Sequence, residues 1–202
     1  MLHLFPRKKP VPGAVDAMVV GLGNPGREYE GTRHNAGFFV LDTLAEKCGV
    51  RIDRIKFKGL TADTTYAGRH ILLLKPSTYM NRSGESVCEA MQFYKLSPEQ
   101  VFLVFDDISL APGKLRIRRK GSDGGQNGVK NILYLTGFDT FPRIKMGIGA
   151  KPNPNWDLAD WVLSRFTQQE AEELKKAAGH ACDALALMLA GQTDQAMNRF
   201  NS

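Results

Sequence analysis

Alternating strand-like and helix-like stretches in this 202-residue chain predict an α/β fold. It should be a single domain with a mixed, mostly parallel β-sheet flanked by helices. Two observations carry that prediction. Residues 101–105, Val-Phe-Leu-Val-Phe, form an unbroken apolar run of the kind found in a central strand covered on both faces. Elsewhere, short β-branched segments take turns with amphipathic segments of helical period.

Element by element, Val19 and Val20 lead a short buried strand that ends near Leu22. Phe38, Leu41, Leu44, Ala45 and Cys48 recur at helical spacing, and Gly49 can stop that helix. Residues 60–66 and 70–74 read as strands joined around Ala67-Gly68-Arg69 as a hairpin. A loop follows over 76–81, then a helix marked by Val87, Ala90, Met91 and Tyr94. The central run 101–105 closes on Asp106-Asp107. Further strands are expected over 115–118 and 144–148, with a helix between them over 129–135. A long amphipathic helix over 167–189 runs through Ala171, Leu174, Ala178, Ala181, Leu185 and Met188.

No apolar run approaches the roughly 18 residues a membrane-spanning helix requires, so no membrane partner is expected. Residues 1–16 carry three prolines and a basic cluster and read as a loose tail, leaving 17–202 as the folded domain. Cys48, Cys88 and Cys182 are odd in number and widely spaced, which points to free thiols in a reducing cytoplasm. A formal net charge of +6 favours a polyanionic partner. Arg116, Arg118, Arg119 and Lys120 lie just before the loop Gly121-Ser122-Asp123-Gly124-Gly125-Gln126-Asn127-Gly128, and Arg143 and Lys145 follow on the next strand-like run. Basic residues beside a glycine loop suit phosphate contacts, although a solvated strand face is the rival reading.

The densest cluster of chemistry is Gly21-Leu22-Gly23-Asn24-Pro25-Gly26 followed by Thr32-Arg33-His34-Asn35-Ala36-Gly37. Glycines, a proline and amides let the backbone turn sharply at a strand end. His34 supplies the side chain best suited to general-base work near neutral pH. The same glycines satisfy the dinucleotide pattern G-x-G-x-x-G, but that pattern requires a helix opening at its third glycine. Pro25 and Gly31 interrupt the segment, and the next helical pattern starts near Asn35, so a nicotinamide-dependent oxidoreductase is disfavoured. Asn24, His34, Asn81, Asp106 and Asn127 all sit where strands meet loops or loops meet helices, and one sheet edge can gather all five.

Taken together, G-L-G-N-P-G-x-x-Y at 21–29, T-R-H-N-A-G at 32–37, K-P-S-T-Y-M-N-R-S-G at 75–84, D-G-G-Q-N-G-V-K at 123–130 and R-I-K-M-G-I-G at 143–149 resemble bacterial peptidyl-tRNA hydrolases. The likeness runs from about Ala17 to the C-terminus. It implies hydrolysis of the ester between an N-blocked aminoacyl or peptidyl group and the terminal ribose of tRNA, recycling tRNA from prematurely released peptidyl-tRNA. By that resemblance His34 is the base that activates water, and Asp106 orients it. Asn24 and Asn81 bind the peptide backbone near the ester. Asn127 holds the acyl and terminal adenosine region, and Tyr29 and Tyr79 line the cleft. Arg116, Arg118 and Lys145 clamp phosphate near the 5′ end of the acceptor stem. No metal or other cofactor is implied, and a cytoplasmic monomer is expected. The alternative is a catalytically silent RNA-binding relative on the same fold.

The third signature departs from the usual G-G-x-G-G-H-N-G. Ser122 stands for a glycine, Asp123 adds a charge, and Gln126 replaces the histidine. Ser109 also occupies a place that is often acidic.

Overall fold

The computed structural model describes residues 14–201. Seven strands form one sheet: β1 (Ala17–Gly21), β2 (Arg54–Lys56), β3 (Gly59–Tyr66), β4 (Arg69–Pro76), β5 (Val101–Asp107), β6 (Leu115–Arg118) and β7 (Arg143–Gly147). Their spatial order is β2-β3-β4-β1-β5-β7-β6. Parallel pairing holds the four central strands β4, β1, β5 and β7. The hairpin expected at Ala67–Gly68 joins β3 to β4, and antiparallel β2, β3 and β6 extend the two edges. The sheet is therefore mixed, as expected, with its parallel part confined to the middle.

Side-chain alternation along the central strands sends two sets of apolar residues to opposite faces. Val19, Leu73 and Val104 pack under α1 (Ala36–Cys48), α5 (Gln168–Leu189) and α6 (Thr193–Phe200). Val20, Leu74, Leu103 and Phe105 pack under α2 (Ser83–Tyr94) and α3 (Asn127–Thr136). This two-sided burial explains why 101–105 is apolar without alternation. Helix ends follow the sequence signals: Gly49 adopts a left-handed conformation after α1, and Thr167 with Glu170 forms a capping box before α5.

Two glycines let α1 come down directly onto the sheet. A Cβ on Gly37 would stand 2.3 Å from the Val104 carbonyl oxygen, and one on Gly21 would stand 2.4 Å from the Gly37 carbonyl oxygen. Backbone touches backbone there, which delivers the residues just before α1 to the carboxyl ends of β1 and β5.

Three elements escaped the sequence reading. Strand β2 is three residues long and leaves Ile55 85% exposed, so it carries no buried stripe. Helix α4 (Leu158–Leu163) is six residues long, too short to display a period. In α6 only Thr193 and Ala196 are buried. Of the expected tail over 1–16, residues 1–13 lie outside the described residues. Val15 is buried, and Asp16 exchanges hydrogen bonds with the backbone of His70. The nucleotide-binding pattern finds no helix at its third glycine: a single 3₁₀ turn, Arg27–Tyr29, follows Gly26, and α1 begins ten residues later at Ala36.

Candidate active site

The loop after β1 is clasped by a residue the sequence reading left unassigned. Asn35 accepts from the Asn24 backbone N–H through Oδ1 at 2.8 Å and donates from Nδ2 to the Asn24 carbonyl at 2.9 Å. The Asn24 side chain is then held from the other side, its Oδ1 accepting from the Met80 backbone N–H at 2.8 Å. An N–H partner demands the oxygen end of the amide, so Nδ2 remains as the donor end of a residue that lines a cavity beside it.

His34 lies in a 3₁₀ turn (Arg33–Asn35) immediately before α1. Asp106 stands near the end of β5, two residues beyond the Val104 carbonyl that α1 presses against. The two side chains meet, His34 Nδ1 to Asp106 Oδ2, at 2.8 Å, and both are buried. An ionised carboxylate only accepts, so Nδ1 carries the proton and Nε2 keeps the lone pair. This is the geometry of an imidazole prepared to take a proton from a third group. The other carboxylate oxygen, Oδ1, accepts from Gln126 Nε2 at 3.1 Å. Gln126 also caps α3, its Oε1 accepting from the Val129 N–H at 2.8 Å.

The turn carrying His34 is anchored by its neighbour. Arg33 is 3% exposed and grips both oxygens of Glu170 at 2.7 and 3.0 Å. It also donates to the Ile148 carbonyl at 3.0 Å and to Ser164 Oγ at 3.1 Å. Its guanidinium lies 3.9 Å from the Trp161 ring centroid and 4.8 Å from that of Phe166. The Arg33 hydrogen bonds hold the Glu170 carboxyl below its ordinary range. Nothing in the sequence pattern distinguished Arg33 from a surface arginine, because its partners lie more than a hundred residues away.

A cavity of about 480 Å³ opens beside the His34–Asp106 pair. Seven of the ten residues expected at the site line it: Asn24, Tyr29, His34, Tyr79, Asn81, Asp106 and Asn127. Tyr29 and Tyr79 meet edge to face with centroids 6.3 Å apart. Asn81 and Asn127 are exposed at the rim, and neither caps a helix: α2 has no side-chain cap, and α3 is capped by Gln126. Met80 is core, 3% exposed. The far wall comes from Leu158, Val162 and Leu163 of α4.

The other three expected residues gather outside the cavity. Antiparallel pairing sets Arg116 directly opposite Lys145, and Arg118 lies two residues further along the same strand face. Lys145 Nζ bonds the cavity residue Asp107 at 2.9 Å and lies 3.2 Å from where a Gly124 Cβ would stand. Burial pushes the Asp107 carboxyl up, but hydrogen bonds from Ser109 and the Lys145 ammonium outweigh that and hold it below its usual range. Arg143, grouped with these cations in the sequence, is instead turned inward and binds the carbonyls of Phe141, Ser122 and Asp139. Arg119 pairs with Asp194 at 2.6 Å. Among the described residues, no three His, Cys, Asp or Glu side chains gather as a metal-holding group.

An imidazole aligned by a carboxylate, beside a cavity at the carboxyl ends of parallel strands, is an arrangement that α/β enzymes use to activate a small nucleophile. Comparison with known proteins narrows this class. The family model for peptidyl-tRNA hydrolase matches residues 18–202. Peptidyl-tRNA hydrolase of Agathobacter rectalis is 53% identical over 185 residues, covering 91% of this chain and 99% of that protein. The Caldicellulosiruptor bescii protein of the same name is 46% identical, covering 93% and 97%. A crystal structure of peptidyl-tRNA hydrolase from Acinetobacter baumannii superposes with a TM-score of 0.87 at 37% identity, covering 92% of this chain and 94% of that one. The chain belongs to the peptidyl-tRNA hydrolase family.

Proposed function

We propose that this chain hydrolyses the ester of N-blocked aminoacyl-tRNA and peptidyl-tRNA, with His34 as the base. The observation that carries the reading is the 2.8 Å His34–Asp106 pair opening onto a cavity rimmed by Asn24, Asn81 and Asn127. His34 Nε2 removes a proton from water as the oxygen attacks the ester carbonyl. Asp106 keeps the imidazole in the productive tautomer and offsets its charge once protonated. Side-chain amides around the cavity donate to the developing oxyanion. Collapse expels the ribose oxygen, which takes the proton back from the imidazolium, so charge and protons balance.

The cavity accommodates an acylated nucleotide end rather than a folded RNA, and Arg116, Arg118 and Lys145 supply the contacts for the rest of the substrate. Such phosphate contacts position without reading sequence, which suits an enzyme acting on many tRNAs. A monomer is the working form of this reading. Among the described residues no helix is long and apolar enough to cross a membrane, which is compatible with the proposed cytoplasmic site of action.

The direct test incubates the protein with N-acetyl-aminoacyl-tRNA and quantifies free acyl-amino acid. His34→Ala should stay folded and lose roughly 10²–10⁴-fold in kcat, the usual share of general-base catalysis. Unblocked aminoacyl-tRNA should be a poor substrate, because its charged amino group lacks the carbonyl that the side-chain amides would bind. A folded His34→Ala protein within threefold of the wild-type rate removes His34 from the mechanism. Absence of hydrolysis by the wild type would favour the silent RNA-binding alternative.

A further inference from the structure

Gln126 is a buried polar residue of the cavity wall to which the reaction above gives no task. It is 6% exposed, and its whole carboxamide is engaged. Oε1 accepts from the Val129 N–H at 2.8 Å. That contact fixes which end is oxygen, so Nε2 is the atom facing Asp106 Oδ1 at 3.1 Å and Met80 Sδ at 3.0 Å.

Asp106 is thereby held at both oxygens, Oδ2 by His34 and Oδ1 by Gln126. A carboxylate gripped at one oxygen swings about its last torsion, which has a broad energy well. Gripped at both, it presents Oδ2 in one direction. The neighbouring ionic groups are committed elsewhere: Arg33 to Glu170, and Lys145 to Asp107. The second grip is thus an uncharged donor that stays protonated across the working pH range.

We propose that Gln126 is a positioning residue for the reaction. One end of its amide fixes the Asp106 carboxylate, and through it the His34 imidazole. The other end fixes the first turn of α3 and so places Asn127 at the cavity rim. The inference rests on His34 being the base.

Gln126→Ser separates the two ends of the amide. Serine keeps an oxygen that caps a helix well, but it is too short to reach Asp106. The expected result is a folded protein whose kcat on N-acetyl-aminoacyl-tRNA falls roughly 10–100-fold, the scale of a misplaced catalytic group, with KM within about twofold. The downfield proton NMR signal of the His34 Nδ1–H should broaden or shift in the same variant. Gln126→His, which restores an N–H donor, should bring kcat back to within about fivefold of wild type. If Gln126→Ser does not fold, Gln126→Glu takes its place. It keeps the length and the capping oxygen, but when ionised it cannot donate, so the same drop in kcat is expected at neutral pH.

A kcat within twofold of wild type in the variant used, or a loss confined to KM, overturns the proposal. So does an unchanged His34 proton signal. The NMR arm needs no substrate, so it tests the link from Gln126 to His34 even if the wild type proves inactive on tRNA, which would instead sink the functional reading.

Discussion

Removing the Glu170 carboxylate should destabilise the whole active-site turn, although Glu170 lies outside the cavity lining. Its partner Arg33 is nearly inaccessible, 4% at the side chain, while Glu170 keeps 22%. Deleting one member of a buried ion pair costs roughly 3–5 kcal/mol because the survivor is left charged and unpaired. Partial exposure of Glu170 lowers that to about 2–3 kcal/mol, since water can enter to solvate the guanidinium. Glu170 also completes the capping box with Thr167, and its loss adds about 0.5–1 kcal/mol. Glu170→Ala should therefore cost about 3 kcal/mol, or roughly 6–12 °C in Tm for a domain of this size.

The pH dependence of this pair has a definite sign. The Arg33 hydrogen bonds hold the Glu170 carboxyl below its unfolded value. The stabilisation is thus fully present above the ordinary glutamate range, near ~4.3, and is lost as pH falls through the lowered folded value. Glu170→Gln, which keeps the cap but not the charge, should differ from wild type most at neutral pH and converge with it under acid. Thermal melts of the three proteins at several pH values measure both effects. Glu170→Ala melting within 1 °C of wild type would refute the argument, as would a Gln–wild-type gap that stays constant into acid.

Other expectations are simpler. The Arg116→Ala/Arg118→Ala double variant should raise KM for full-length tRNA with little change in kcat, and should flatten the salt dependence of binding by about one to two units of log–log slope. Unchanged tRNA binding at low salt would place the clamp elsewhere. Burial pushes the Cys182 thiol up to about 11, so alkylation followed by mass spectrometry should find it the last cysteine labelled, at a rate that tracks unfolding. Labelling of Cys182 ahead of the half-buried Cys48 and Cys88 would contradict that ordering.

Where a side chain's purpose is local, the sequence exposed it. The 101–105 run declared a strand covered on both faces, and Gly49 declared a helix end, because those signals are written in neighbouring residues. His34 and Asp106 were legible as chemistry at chain turns, and the family resemblance paired them. Arg33 and Asn35 were not legible, since each acts through partners that only the folded chain brings near, and Gln126 stood out only as a departure from the signature, its contact with Asp106 appearing with the fold. Arg33 reaches across more than a hundred positions to Ile148 and Glu170. The basic cluster divided for the same reason: register puts Arg116 beside Lys145, while the carbonyls of Phe141, Ser122 and Asp139 claim Arg143. Helix α4, which walls the cavity, is one and a half turns long, and a period cannot be read from so little chain.

The contact of Gly21 and Gly37 across the root of α1 bears on how tolerance to change would be distributed along this chain. At either position a single added methyl would wedge the helix off the sheet, because the obstructing atoms are main-chain oxygens with no rotamer to escape into. A saturation screen scored on growth alone would rank both glycines with His34, although neither offers a functional group to a substrate. Only a parallel readout of soluble protein would separate the hinge-free joint from the proposed base it carries. Attempts to recruit this scaffold for new esters should leave that joint untouched and vary the α4 wall, where Leu158 and Leu163 are already partly open to solvent.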